Sequence, residues 1–226
     1  MVFNEMLKRE IPEGWEAGRS SRLIKFNPTE SVSKGKSTSY IDMNALPTTG
    51  YMTSTVQKKA FSGGMKFRNN DVLIARITPC LENGKTCLVT LLEDDEIGFG
   101  STEYIVLRGK KKPIPAFTAF LGRSEYFRKY AIMNMTGTSG RKRVDYKQLE
   151  LIKIPIPSED LLDSFEDLVY PYFEKMTINT KENQELSELR DWLLPMLMNG
   201  QITVGDAYEK VEEKLGMVAD DKIKYR

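Results

Sequence analysis

The most regular pattern of apolar and polar positions begins after Ser158. Leu162, Phe165, Val169, Tyr172, Met176, Asn179, Asn183, Leu186, Arg190, Leu193 and Leu197 follow one another in unbroken steps of three and four. Eight of these eleven are apolar, so the spacing predicts a long helix with a coiled-coil seam. Ser158 can cap it, and Glu159 and Asp160 put negative charge where the helix dipole favours it. Some 40 residues of helix would reach about 60 Å. A second apolar line, Leu161, Leu168, Leu189, Trp192 and Met196, widens the face. Pro171 removes a backbone hydrogen bond and is expected to kink or divide the helix. A seam this long cannot be buried against a domain of about 150 residues and needs another helix; a fold-back at Pro171 is the alternative. Asn179 and Asn183 are costly in a core and make sense if they fix register or partner choice. After "NGQI", residues 206–215 predict a short terminal helix capped by Asp206.

The first 157 residues follow another rhythm. "NNDVLIARI" and "EYIVLRG" are short, β-branched, apolar runs bounded by turn residues, which predicts strands. Asn83–Gly84 between "ARI" and "TCLV" predicts a tight hairpin, with Glu82 and Lys85 pairing across it. From Phe117 to Met133, apolar residues recur at helical spacing. "TGTSGRKRV" then reads as a glycine-bearing basic loop, and "LELIKIPIP" as a closing strand stopped by Pro155 and Pro157. The expected class is α+β: a strand-rich mixed α/β domain over 1–157, a long coiled-coil-forming helix over 158–202, and a tail over 203–226 with a short helix.

Charge divides the chain at the same place. Residues 1–157 hold 25 Lys and Arg against 16 Asp and Glu, a balance of +9, and residues 158–226 hold 8 against 16, a balance of −8. A basic first part can face a polyanion, and an acidic helix is a poor partner for one. The chain contains no histidine, which removes Ser-His and Cys-His nucleophile pairs, His-ligated zinc and the usual general base. Cys80 and Cys87 form no C-x-x-C motif and read as ordinary thiols in a reducing compartment. No apolar run approaches the length of a membrane span, and "MVFNEMLKREIPEGWE" lacks a signal-peptide core, so a cytoplasmic protein is expected.

Six stretches together resemble the specificity subunits of type I restriction–modification enzymes. They are "IPEGWE" (Ile11–Glu16), "FRNNDVLIARITPCLENGKTCLV" (Phe67–Val89), "GFGSTEYIVLR" (Gly98–Arg108), "TGTSGRKRV" (Thr136–Val144), "IPIP" (Ile154–Pro157) and "LRDWLLPMLMNGQI" (Leu189–Ile202). The resemblance implies a non-catalytic subunit with a DNA target recognition domain followed by a conserved spacer helix. Full-length members carry two such domains and two antiparallel helices. Each domain reads one half of a bipartite site, and the helices set the spacing. Modification subunits bring S-adenosylmethionine and adenine methylation, and restriction subunits bring ATP-dependent cleavage, so no cofactor or metal is expected on this chain. One domain and one helix are half of that layout. A homodimer through the seam would rebuild it and would recognise a symmetric target.

Within the resemblance, loop Thr138–Arg143 is the first candidate for DNA contact: Thr138, Ser139, Arg141, Lys142 and Arg143 join flexible backbone to positive charge. Lys34 and Lys36 in "SVSKGKSTSY" and Lys58 and Lys59 in "TVQKKAF" are next, followed by Arg76. Lys110–Lys112 is a weaker choice. Two rival readings stand beside this one. A stand-alone adenine methyltransferase would need a glycine-rich cofactor loop and an Asn/Asp-Pro-Pro-aromatic motif; "FNPTE" at Phe26–Glu30 lacks the second proline and the aromatic. An interaction-only half subunit would pair by its helix with a longer specificity subunit and read no DNA.

Overall fold

Val72–Leu73–Ile74–Ala75 and Tyr104–Ile105–Val106–Leu107 are apolar at every position, a pattern that suits strands covered on both faces. The computed structural model describes residues 1–138, 140–206 and 209–211. Strands β1 (Val2–Asn4), β2 (Arg9–Ile11), β3 (Glu16–Arg19), β4 (Ile24–Phe26), β5 (Ser37–Ile41), β6 (Gln57–Ala60) and β7 (Met65–Phe67) come first. They are followed by β8 (Val72–Ala75), β9 (Thr86–Leu88), β10 (Gly98–Gly100) and β11 (Tyr104–Gly109). Then come α1 (Pro115–Arg123), α2 (Glu125–Met133), β12 (Met135–Thr136), β13 (Arg143–Val144), α3 (Tyr146–Leu149), β14 (Lys153–Ile156) and α4 (Glu159–Met198). The class is α+β, as the sequence pattern predicts.

A central sheet in the order β4-β11-β8-β9 organises the first part of the chain. Its side chains alternate between two cores, as the pleat requires. Val72, Ile74, Leu88, Ile105 and Leu107 pack toward α1 and α2 with Ala116, Ala119, Phe127 and Ala131. Leu73, Cys87, Tyr104 and Val106 pack the other way, against Ile41 and Phe67 of a second sheet ordered β6-β5-β10-β7. Helices, sheet and sheet therefore form three layers. Asp71, only 1% exposed, closes one end of the β8–β11 pair. Both its oxygens accept from the Arg108 guanidinium, at 2.6 and 2.7 Å, and Arg108 and Arg68 each reach Glu30 at 2.7 Å.

The pairing of β8 with β9 is antiparallel, with Val72 opposite Leu88 and Ile74 opposite Thr86. The connection is not the expected tight hairpin. Residues 76–85 form a longer loop whose Leu81 is an anchor in the helix-side core. Its turns are closed by Leu81 N–H to the Ile77 carbonyl and Gly84 N–H to the Leu81 carbonyl. Gly84 takes the left-handed conformation expected of Asn-Gly, at φ 74°, inside this loop. Lys85 does not pair with Glu82; its ammonium donates to the Met43 carbonyl at 2.9 Å. Arg123 ties the same region down: its guanidinium donates to the carbonyls of Pro47, Thr48, Gly84 and Thr86 and lies over the Tyr51 ring. The helical stretch from Phe117 is two helices, because the Ser124 hydroxyl caps α2 by accepting from Phe127 N–H.

Helix α4 runs unbroken for 40 residues, so Pro171 neither divides it nor folds it back. Pro171 and the proline further along, Pro195, are both exposed, so water can satisfy the carbonyls that lose their partners. The chain forms two compact units, Met1–Thr177 and another beginning at Ile178. In the first, the early turns of α4 dock on the helix-side core. Phe173 is buried there, and Phe165, Val169 and Tyr170 pack against it; Leu162, in the first turn, is buried as well. Part of the expected seam is thus covered by the chain's own domain. Polar contacts fix the dock. Both Glu166 carboxylate oxygens accept from the first amides of α1, Ala116 N–H at 2.9 Å and Phe117 N–H at 2.7 Å. They take the place of a cap that Ile114 cannot supply. The Tyr170 hydroxyl meets Asn70 at 2.7 Å, and the Thr177 and Thr90 hydroxyls meet at 2.8 Å.

In the second unit, Leu189 and Leu193 pack with Leu197, Ile202 and Val211, so the later seam residues are covered by the chain that follows them. Thr203, not Asp206, is the cap there. Its hydroxyl accepts from Asp206 N–H, and the Asp206 carboxylate accepts from Thr203 N–H in return. The short helix expected over 206–215 lies largely outside the described residues.

Phe173 is 3% exposed and holds the dock. Phe173→Ala should cost about 3 kcal/mol or more. Urea unfolding of the full chain would read this as a lower midpoint; an unchanged midpoint would mean that the docked helix adds nothing to the core.

Candidate nucleic-acid interface

The basic loop grows out of the central sheet. β12 and β13 form a two-residue ladder, Met135 opposite Val144 and Thr136 opposite Arg143. The loop between them carries Arg141 and Lys142, both exposed. Gly137 has φ 125°, and a Cβ there would lie 2.9 Å from the Arg141 carbonyl oxygen, so the turn requires glycine. Thr138 is exposed and accepts the Arg141 N–H; Ser139 lies outside the described residues. Arg143 has a different place. Its guanidinium grips Glu103 through Nε and Nη at 2.7 to 3.0 Å and anchors the hairpin. Arg76 sits at the hairpin's base, one residue past β8. Its N–H donates to the Glu103 carbonyl and its own carbonyl accepts from Val144 N–H, both at 2.9 Å.

Lys34, Lys36, Lys58 and Lys59 gather on the second sheet. Lys34 and Lys36 flank Gly35, which turns with φ 83° at one end of the β5–β6 ladder. Tyr40 lies opposite Phe99, and Phe99 opposite Lys66. Phe99 also meets Tyr40 and Phe61 ring to ring, at centroid distances of 5.0 and 5.2 Å. Lys59 stands 4.0 Å over the Tyr40 ring and Lys66 5.3 Å over the Phe61 ring. Lys66 was not singled out by the sequence pattern; the alternation in "GGMKF" is the signal that places it on the face opposite Met65 and Phe67. Lys58 is spoken for by Glu93 at 2.7 Å and Glu96 at 2.8 Å. Lys111 and Lys112 reach Glu159 and Asp163 on α4, and Lys110 donates to the Ser21 carbonyl. Among the described residues, no carboxylate lies within ion-pairing distance of Lys34, Lys36, Lys59, Lys66, Arg76, Arg141 or Lys142. The structure thus forms two groups of unpaired cations, one at the β12–β13 hairpin with Arg76 and one on the second sheet.

The expected helix seam is divided by its surroundings. Phe165 and Val169 face the first unit's core, Leu162 is buried within that unit, and Leu193 and Leu197 pack with Ile202 and Val211. Tyr172, Met176, Asn179, Asn183, Leu186 and Arg190 are exposed, Tyr172 by 66%. Arg190 pairs with its neighbour Asp191.

The carboxylate that organises the second sheet is Glu96. It accepts from the Thr38 and Ser39 hydroxyls, the Ser39 amide and Lys58, each at 2.8 Å. Burial alone would raise its pKa, but hydrogen bonds from Lys58, Ser39, the Glu93 amide and Thr38 outweigh it and hold the group at about 2. Cys87 is fully buried and its thiol is pushed up to about 12, which leaves it inert as a nucleophile. No metal-binding cluster of three or more His, Cys, Asp or Glu occurs among the described residues, and none of their helices is long and apolar enough to cross a membrane.

Unpaired cations on a strand frame, beside aromatic rings and a glycine-bearing loop, have the chemistry that suits a polyanion. The family comparison is specific. Residues 12–188 match the type I restriction modification DNA specificity domain, and the chain belongs to that family. The specificity subunit of the type I restriction enzyme EcoAI from Escherichia coli is 30% identical over 220 residues, 93% of this chain and 36% of that subunit. The MjaIX specificity subunit of Methanocaldococcus jannaschii is 26% identical over 222 residues, 90% of this chain and 48% of that one. The crystal structure of the HsdS subunit from Thermoanaerobacter tengcongensis shares the fold, with a TM-score of 0.56 at 21% identity over 83% of this chain and 48% of that chain. The chain therefore spans half or less of the length of these relatives.

Glu96 gives the second sheet a pH dependence. A carboxylate held near pH 2 in the fold, against an ordinary value of 4.5, stabilises fully above about pH 4.5 and loses that contribution as pH falls toward 2. The contribution is on the order of 2 kcal/mol after screening by solvent. Chemical unfolding of the wild type and Glu96→Gln from pH 6 to about 2 should show the wild-type advantage shrinking across that window. Parallel curves would refute the assignment.

Proposed function

We propose that this chain is the DNA-recognition component of a type I restriction–modification system. It reads one half of a bipartite target in double-stranded DNA and is not itself an enzyme. The observation that carries this reading is the specificity-domain match over residues 12–188, which covers both groups of unpaired cations and most of α4. Lys34, Lys36, Lys59, Arg141 and Lys142 serve as phosphate contacts, because no internal carboxylate competes for their charge. Lys58 and Arg143 act indirectly, by holding the second sheet and the hairpin in place. Thr138 and Ser139 belong to the same loop as Arg141 and Lys142.

The chain works in the cytoplasm with modification subunits, which carry S-adenosylmethionine, and with restriction subunits, which use ATP; it binds no cofactor of its own. A second copy supplies a second recognition domain and helix. The exposed seam positions of the second unit, Asn179, Asn183, Leu186 and Arg190, are the face offered to that copy.

Two measurements test the reading. Arg141→Ala with Lys142→Ala, in the full chain with its modification subunits, should weaken DNA binding and lower the slope of log affinity against log salt by roughly one per lost phosphate contact. An unchanged slope removes the hairpin from the interface. Sedimentation of the chain at tens of micromolar should show a dimer, and methylated adenines in DNA from expressing cells should then map to a palindromic bipartite motif. A monomer, or an asymmetric motif, rules out the homodimer.

A further inference from the structure

Among the described residues, two arginines have a buried Nε without a hydrogen-bond partner, Arg76 and Arg123. They are otherwise unlike. The terminal nitrogens of Arg123 are saturated by four backbone carbonyls, so its guanidinium is consumed in holding loops together. The Arg76 guanidinium makes no hydrogen bond, ion pair or ring contact with any described residue. Its natural partner is close at hand and taken. Glu103 is bound to Arg76 through its backbone, yet its carboxylate is held by three hydrogen bonds from Arg143. A sealed Nε–H without an acceptor is a cost to the folded chain, since it has lost the hydration it had when unfolded, while the terminal nitrogens of this half-buried side chain keep contact with solvent.

Position adds to chemistry. Arg76 continues β8, one of the two inner strands of the buried sheet, and both its main-chain hydrogen-bonding groups are engaged, one with Glu103 and one with Val144. The side chain therefore springs from a fixed point, while Arg141 and Lys142 ride on a loop turned by Gly137 and Gly140 at positive φ. Fixed origin and adaptable rim are the division of labour between reading a base and holding phosphate.

Resting on the DNA-recognition reading above, we infer that Arg76 is the base-reading residue of the hairpin group and that it reads a guanine in the half-site. A guanidinium has five donors and no acceptor. The major-groove edge of guanine offers two acceptors side by side, O6 and N7, whereas adenine pairs an acceptor with a donor. The DNA supplies the acceptors that the fold withholds from Arg76.

The test is binding selection from randomised double-stranded half-sites by the full chain with its modification subunits, for wild type, Arg76→Ala, Arg76→Lys and Arg76→Gln. Thermal melting checks that each variant is folded, and the Lys and Gln variants carry the test if Ala does not fold. The wild type should demand guanine at one position. Arg76→Ala should lose roughly tenfold or more of the discrimination there and leave other positions intact. Arg76→Gln should move the preference at that position toward adenine, which a merely structural role would not do. Uniform weakening across all sequences with a shallower salt slope would make Arg76 a phosphate contact and overturn the inference, as would an unchanged profile. A wild-type complex that selects no sequence at all would instead overturn the DNA-recognition reading beneath it.

Discussion

Burial of one sheet on both faces is the constraint on which the rest of this chain depends. β8 and β11 have no solvent side, so neither can carry a recognition group along its length. Polar chemistry is displaced to where the strands end. At one end Asp71 and Arg108 close the pair with a bidentate contact. At the other, Arg76 follows β8 and Glu103 precedes β11, joined through the backbone. The two ends hold the same types of residue and resolve them differently. The first is satisfied internally by Asp71; at the second, Arg143 draws Glu103 away and leaves one guanidinium open. A structural end and an open end on the same two strands follow from one extra arginine on a neighbouring hairpin.

The fold was legible where periodicity and burial coincide. The apolar runs 72–75 and 104–107 and the long helix after Ser158 are visible because each position obeys one rule, pleat or helix turn. The loop between β8 and β9 was misread because Asn83–Gly84 is a local signal, and Leu81 answers a distant demand. A buried leucine between two strands lengthens the connection whatever the turn residues prefer. Likewise Pro171 is a local helix breaker, but the core contacts of Phe165, Val169 and Phe173 on either side of it go with a helix that continues through it. In each case tertiary packing outweighed a preference worth only a few kcal/mol.

The interface was legible as a sum and not as a set of residues. A balance of +9 over residues 1–157 says that cations are in excess. It does not say which ones stand free. Lys58, Arg68, Arg108, Lys111, Lys112 and Arg143 all find carboxylates distant in sequence. Arg143 looks equivalent to Arg141 on the page of the sequence, two residues away in the same basic run. Only the fold brings Glu103, 40 residues earlier, against one and not the other. Lys66 shows the converse. A lone lysine between Met65 and Phe67 has no motif around it, and the pleat alone puts it on the aromatic outer face.

The dock of α4 links these two readings. Apolar contacts at Phe165, Val169 and Phe173 would tolerate some sliding or rotation, because one buried methyl can be exchanged for another at small cost. Hydrogen bonds at Glu166, Tyr170 and Thr177 do not tolerate it. Each has a length and an angle, and they are spread over three turns of the helix. Glu166 is the strictest, since it completes the first turn of α1, whose residues pack on β8 and β11. A rotation of the docked turns of α4 would uncap α1 and leave a half-buried carboxylate unmatched, so those turns keep one register on the helix-side core.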